Sequence, residues 1–170
     1  GDEVEVGPPS GNFTLDLNPS TTRPLVLLSG GVGITPLLAM LHTAVDEQPD
    51  RPIVFLHGAL NSTTHAHREE VAEVAAEHHQ VTTHVRYSNP VADDLSEGRC
   101  DSAGFIDADL IRSTLPEGGE DEGAFYFCGP KPFMVAVQQA LDELAVPEGQ
   151  RHFEFFGPAQ DLKAACPAHG

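Results

Sequence analysis

Three short runs hold the residues best suited to chemistry. The first is Gly30-Gly31-Val32-Gly33-Ile34-Thr35-Pro36, directly after the apolar run Leu25-Val26-Leu27-Leu28-Ser29. Glycine at 30, 31 and 33 lets the backbone approach a ligand with no Cβ in the way. Thr35 reads as a helix N-cap and Pro36 as the first helical residue. A helix beginning there offers unpaired N–H groups and the positive end of its dipole. Strand, glycine turn and helix together make a site for a diphosphate. Pro36 stands where the common dinucleotide fingerprint has a third glycine, so the run also fits a plain strand-to-helix turn. The second run is Cys128-Gly129-Pro130, after the apolar stretch Ala124-Phe125-Tyr126-Phe127. Gly129 gives close backbone approach and Pro130 sets the turn. The Cys128 thiol is small and polarizable and tolerates a flat ring stacked beside it. A buried structural cysteine fits the same residues. The third run is His152-Phe153-Glu154-Phe155-Phe156-Gly157-Pro158. Strand alternation requires at least one of Phe153, Phe155 and Phe156 to pack in the core.

The elements that must position these runs follow from hydrophobic periodicity. Strands are expected over 25–29, 53–57, 81–87, 124–128 and 152–156. Helices are expected over 36–45, 66–78, 106–115 and 132–144, with a charged loop at 89–104. Strands alternating with helices at this spacing predict an α/β fold, a doubly wound parallel five-stranded sheet with helices on both faces. Ligands in such sheets lie at the carboxyl ends of the strands. One rim would then receive 30–36, 57–61, 128–130 and 155–158. Ahead of the sheet, Val4 and Val6, then Phe13, Leu15 and Leu17, flank Gly7-Pro8-Pro9-Ser10-Gly11 and read as a hairpin-like pair of short strands. Residues 18–24 form a polar, proline-bounded linker, and 159–170 a polar tail.

Composition narrows the function classes. The 170 residues suffice for one domain with a core, and the chain starts at Gly1, as a piece of a longer protein would. No run of eighteen apolar residues and no secretory signal is present. Three cysteines, Cys100, Cys128 and Cys166, are too scattered for a disulfide framework and fit a reducing, cytoplasmic setting. Net charge is −17, with Lys131 and Lys163 the only lysines. Such a surface repels nucleic acid and anionic membranes, so any phosphate site must rest on local backbone donors. The acidity fits either high solubility or adaptation to salt, which screens self-repulsion. The pairs His65/His67 and His78/His79 lack the i, i+4 spacing of a helical zinc site, and Cys166 with His169 supplies only two ligands, so no metal is assigned. The acids at 69, 70, 73 and 77 read as a solvated helix face. Asp93-Asp94 and Glu120-Asp121-Glu122 read as loop residues without a catalytic role. The absence of a Gly-x-Ser-x-Gly elbow argues against a hydrolase.

Gly31-Val32-Gly33-Ile34-Thr35-Pro36, followed about ninety residues later by Cys128-Gly129-Pro130, resembles the NAD(P)H-binding half of ferredoxin–NADP reductase-like flavoenzymes. His57-Gly58-Ala59 with Asn61, the helix start His65-Ala66-His67, the segment 98–107 ending Gly-Phe-Ile-Asp, Phe133-Met134 and the terminal run 152–158 bring it closer to the flavohaemoglobins, the nitric oxide dioxygenases. The resemblance runs from residue 1 to 158. It implies that 1–18 are closing strands of an upstream FAD barrel and that 19–158 are the NAD(P)H-binding domain. It implies that the cofactor diphosphate lies on Gly31, Val32, Gly33, Ile34, Thr35 and Pro36. The nicotinamide would lie near Thr35, Cys128, Gly129 and Pro130, and His57 and Asn61 would border the cofactor. Glu154 matches the position linked to flavin redox tuning, and Phe155, Phe156, Gly157 and Pro158 match the motif that faces the flavin. Cys128 and Glu154 are thereby the implied catalytic pair.

Hydride would pass from nicotinamide to FAD, and electrons would go on to a haem if the parent chain carries a globin domain, where bound oxygen converts nitric oxide to nitrate. A 2′-phosphate calls for Arg or Lys in the loop after the second strand. Asn61-Ser62-Thr63-Thr64 has neither, which favours NADH over NADPH. Two other readings remain at this stage: a reductase for another flavin or iron–sulfur electron chain, and a module that senses NAD(H) without turnover.

Overall fold

Apolar runs of five or six residues are too short to bury a helix stripe, and when both faces are covered they become central strands. The two such runs lie side by side at the middle of the sheet. The structure, a computed structural model, describes residues 3–4, 7–8, 11–18, 21–116 and 119–155. Its elements in chain order are β1 (Leu25–Gly30), α1 (Ile34–Glu47), β2 (Ile53–Ala59), α2 (Arg68–Glu77), β3 (Val81–Tyr87), β4 (Ser102–Ala103), α3 (Ala108–Thr114), α4 (Gly119–Glu122), β5 (Ala124–Gly129), α5 (Lys131–Glu143) and β6 (Arg151–Phe155). The sheet order is β4-β3-β2-β1-β5-β6, and every pairing is parallel. All six residues of β1 and all six of β5 are buried.

Alternation along the strands divides the core into two layers. Leu25, Leu27, Phe55 and Tyr126 pack with Leu37 and Leu41 of α1 and Val71 and Val74 of α2. Val26, Leu28, Phe125 and Phe127 pack with Ile111 of α3 and Met134, Val137 and Leu141 of α5. The doubly wound parallel fold expected from the sequence is therefore present, with six strands among the described residues in place of five. The sixth is the two-residue β4, inside what reads as the 89–104 loop. Its pairing is only Arg86 with Ser102 and Tyr87 with Ala103, too short to leave a periodic signal.

Local boundaries differ for identifiable reasons. α1 begins at Ile34 and not at Pro36, because a 3-10 turn over Gly31–Gly33 runs straight into it and the Ile34 N–H donates to the Gly31 carbonyl. Gly33 is the N-cap and makes no side-chain cap; Thr35 lies inside the helix, its Oγ1 donating to the Val32 carbonyl at 3.4 Å. α3 starts later than 106 because Asp107 caps it, accepting the Leu110 N–H at 2.9 Å. Glu120-Asp121-Glu122 fall in the short helix α4, not in a loop.

No strand is assigned over residues 11–18, where the sequence predicts half of a hairpin. Side chains hold this segment instead. Phe13 packs on the Tyr126 ring at 5.9 Å, and Arg51 and Gln48 donate to carbonyls of Asp16, Asn18 and Arg23. Asp94 is likewise structural, accepting the Val91 N–H at 2.9 Å and the Ser62 N–H at 3.3 Å.

Candidate functional site

The parallel sheet places the carboxyl ends of all its strands on one rim, and two adjacent rows of residues cross it. The first row is His57–Ser29–Cys128–Glu154, each the register partner of the next. One residue on, Arg86, Gly58 and Gly30 form the second row, with Gly129 beside Phe155. Successive strand residues point to opposite faces. The first row therefore faces the α1/α2 layer and the second the α3/α5 layer.

The second row floors a cleft of about 380 Å³ lined by Gly58, Arg86, Phe105, Pro130, Phe133 and neighbouring residues. The floor is open because three of its positions are glycine. The Phe133 ring packs flat on it: a Cβ on Gly30 or on Gly129 would lie 2.5 Å from that ring. Gly31 borders the cleft with φ +49° and open space where a Cβ would point. A side chain there would be strained and would cover the turn. Val32 stands at the tip of the turn, 61% exposed. Thr35 is exposed beside it, Pro36 is half-buried and Ile34 is in the core.

Gly33 has a different task. A Cβ on it would lie 2.1 Å from the Cys128 carbonyl oxygen and 2.6 Å from the Gly129 nitrogen. Its missing side chain lets α1 close onto the end of β5. The turn thus rests between the two faces, with Gly31 on the cleft side and Gly33 against Cys128.

Cys128 is 1% exposed. Burial first, and the Glu154 carboxylate second, push its thiol up to about 11, so it stays neutral at physiological pH. Glu154 is exposed on the edge strand β6, over a shallow depression shared with Phe13, His152 and Phe153. Phe155 packs against the α3/α5 core, while Phe153 is exposed and tilts on Phe127 at 5.1 Å. Phe156, Gly157, Pro158 and the tail lie outside the described residues.

Of the predicted cofactor residues, Gly31 and Pro130 line the cleft, and His57 and Asn61 lie away from it. His57 is 1% exposed on the α1/α2 face, its Nδ1 2.7 Å from Ser29 Oγ. Its ring stacks on His65 at 4.5 Å, and His65 Nδ1 lies 2.9 Å from the Tyr87 hydroxyl. Burial is the main cause that lowers His57 to about 3 and His65 to about 4, so both are neutral. The group braces the rim from behind. Asn61 is also buried; its Oδ1 accepts the Thr63 N–H at 3.1 Å and caps the turn after β2. What lines the cleft from this region is Gly58, Ala59, Leu60 and Thr64.

Sequence reasoning missed Arg86, Phe105 and Phe133 as cleft residues. Phe133 reads in sequence as one apolar position of an amphipathic helix. Arg86 sits in a β-branched alternating strand, where a lone cation reads as solvent-facing. The run Gly104-Phe105-Ile106-Asp107, which carries part of the resemblance, was the available signal.

Comparison with known proteins agrees with this geometry. Residues 27–139 match the sequence profile of the oxidoreductase NAD-binding domain. A flavohemoprotein of Rhodopirellula baltica is 44% identical over 165 residues, covering 96% of this chain and 39% of the relative. One of Bacillus cereus is 42% identical over 163 residues, again 96% of this chain and 39% of the relative. The chain thus spans about two fifths of these curated relatives. Among solved structures, the flavohem-like FAD/NAD binding domain of nitric oxide dioxygenase from Vibrio cholerae superposes with a TM-score of 0.72 at 32% identity, covering 88% of this chain and 56% of that one. The Amycolatopsis cytochrome P450 reductase GcoB gives 0.73 at 25% identity, covering 89% and 43%. With a profile match across most of its length and an open glycine turn at the carboxyl rim of a parallel sheet, this chain belongs to the family of oxidoreductase NAD-binding domains.

Proposed function

We propose that the chain is the NADH-binding part of a flavohaemoglobin-type nitric oxide dioxygenase, delivering hydride to an FAD held by an upstream barrel. The observation that carries the reading is the position of the Gly31–Gly33 turn. It borders the cleft through Gly31 and packs on the Cys128 backbone through Gly33, so a diphosphate laid on it lies between the cleft and the end of β5. The identity to flavohemoproteins favours this type over other reductases. Residues 1–18 then belong with the barrel, which accounts for a segment that packs on Tyr126 yet finds no strand partner among the described residues. Haem belongs to the proposal only through a globin elsewhere in the parent protein, and the cytoplasm is the proposed setting.

The residues fit the cofactor. Gly31 leaves room for the diphosphate, and the backbone of the turn and the start of α1 provide the donors that an acidic chain otherwise lacks. Bound NADH supplies the hydride, and the chemistry belongs to the cofactors. The protein orients. Cys128, neutral and packed, presents no charge to a nicotinamide ring. Pro130 fixes the turn above β5. Glu154 places a carboxylate on the exposed edge of β6, where a flavin domain can meet it. Phe153, on the other face of the same edge strand, leaves an apolar ring exposed beside Phe127 and Phe155.

The test joins the chain to the FAD barrel of its own parent protein. Under anaerobic conditions NADH should bleach the flavin absorbance rapidly, and Glu154→Gln should slow onward electron transfer more than flavin reduction. Failure of NADH to bleach the flavin in the joined protein would refute the proposal. So would NADH oxidation at a full enzymatic rate by the chain alone.

A further inference from the structure

Among the described residues lining the cleft, Arg86 is the only charged one, and its charge is already matched. Arg86 Nη1 donates to Asp107 Oδ2 at 2.8 Å and to the Phe105 carbonyl at 2.8 Å. Its Nε is buried without a partner, and its side chain is 20% exposed. Asp107 divides its two oxygens: Oδ1 accepts the Leu110 N–H at the start of α3, and Oδ2 faces Arg86. The pair clamps β3 to α3 and fixes the wall from Gly104 to Phe105. Phe105, 74% exposed, stands at the lip of that wall.

The location decides what this pair can recognise. The strand order reverses between β1 and β5, and a dinucleotide straddles such a reversal with one half on each side. If the nicotinamide half lies over β5 and β6, as the proposed function has it, the adenosine half lies over β2 and β3. Arg86, Ser88, Thr64 and Phe105 are there. NADH and NADPH differ only in this half, by a phosphate on the 2′-hydroxyl. An unpaired guanidinium would draw that phosphate in. Here its charge is cancelled, and the incoming phosphate would face the Asp107 carboxylate on a chain of net charge −17. With no lysine or second arginine lining the cleft, nothing described there offsets that repulsion.

We propose that Asp107 is a specificity-determining residue: by neutralising Arg86 it makes the cleft select the dinucleotide that lacks a 2′-phosphate. The inference rests on the proposed function for which half of the cofactor lies here. It also reconciles the proposed preference for NADH with an arginine in the cleft.

The test is calorimetric titration of the chain with NADH and with NADPH. The wild type should bind NADH at least tenfold more tightly. Asp107→Asn keeps an oxygen to cap α3 and removes the charge, so NADPH should tighten at least tenfold, about 1.4 kcal/mol, while NADH changes less than twofold. Asp107→Ser, a second uncharged cap, should act in the same direction. The gain should vanish in the double variant Asp107→Asn with Arg86→Gln, and it should shrink as salt is raised. Phe105→Ala should weaken both nucleotides by the same factor. NADH binding intact with NADPH affinity unmoved in both Asp107 variants would overturn the role of Asp107 and leave the proposed function standing. A wild type that prefers NADPH would do the same. Failure of the wild type to bind either nucleotide would overturn both.

Discussion

Replacing Gly33 by alanine should damage the fold, and replacing Gly31 by alanine should damage binding, although both belong to one turn. An added Cβ at Gly33 would sit 2.1 Å from the Cys128 carbonyl oxygen, 2.3 Å from its carbon and 2.6 Å from the Gly129 nitrogen. All three are backbone atoms at the end of a buried strand, so no side chain can swing aside. Overpacking of this kind costs about 1–3 kcal/mol, and rigid neighbours put it at about 3 kcal/mol. For a domain of this size each kcal/mol lowers the melting temperature by about 2–4 °C, so Gly33→Ala should melt about 6–12 °C below the wild type. At Gly31 a Cβ would meet nothing, but φ is +49°. Left-handed backbone costs a non-glycine residue about 1 kcal/mol, a fall of about 2–4 °C. Its Cβ would cover the face on which a diphosphate must lie, and NADH affinity should drop at least tenfold, about 1.4 kcal/mol. Calorimetric melts and NADH titrations of both variants decide the matter. A Gly33→Ala protein melting within about 2 °C of the wild type would refute the packing argument, and unchanged NADH affinity in Gly31→Ala would refute the diphosphate assignment.

Two further outcomes follow from buried titratable groups. His57 is held neutral, its pKa lowered from 6.5 to about 3, first by burial and then by His65. Below pH 6.5 the unfolded chain takes up a proton that the folded chain refuses. The contribution is therefore complete above pH 6.5 and declines as the pH falls toward 3, with a slope approaching about 1.4 kcal/mol per pH unit. His57→Asn should flatten urea-denaturation stability between pH 6 and 4 relative to the wild type; parallel curves would contradict the buried neutral imidazole. The Cys128 thiol, buried and pushed up to about 11, should resist iodoacetamide at neutral pH in the native chain and react readily in urea, as read by peptide mass spectrometry. Equal labelling in both states would show that the site is open and the thiol ordinary.

The sheet was legible because its evidence is periodic. Leu25-Val26-Leu27-Leu28 and Ala124-Phe125-Tyr126-Phe127 are short continuous apolar runs ended by glycine, as strands buried on both faces are. The glycine turn and Cys128-Gly129-Pro130 were legible as strand-to-helix turns at one rim. β4 was not, because two residues of pairing carry no periodicity. The start of α1 was misplaced because Thr35 and Pro36 suit a helix start chemically, while the 3-10 turn preceding Ile34 depends on Gly31 adopting positive φ. The cleft wall was hidden for a similar reason. Arg86 and Asp107 meet although they are 21 residues apart, and a sequence read in local windows does not pair them.

The motif His57-Gly58-Ala59 shows why neighbouring site residues need separate arguments. One position of strand register turns a side chain from one face of the sheet to the other. His57 therefore points to Ser29 and His65 behind the rim, where its neutral ring fills space and holds the β2 end against β1. Gly58 points into the cleft, with the Phe133 and Ile106 side chains 3.6–3.7 Å from where its Cβ would be. The same rule separates Ser29 from Gly30 and Cys128 from Gly129. At each of these three strand ends, a polar or sulfur side chain faces the α1/α2 layer and a glycine follows on the cleft side. The floor of the cleft is thus made by omission, and its stiffness comes from the row immediately before it. A larger residue at Gly58 would narrow the cleft without touching His57, and a larger residue at Ser29 would break the brace without entering the cleft.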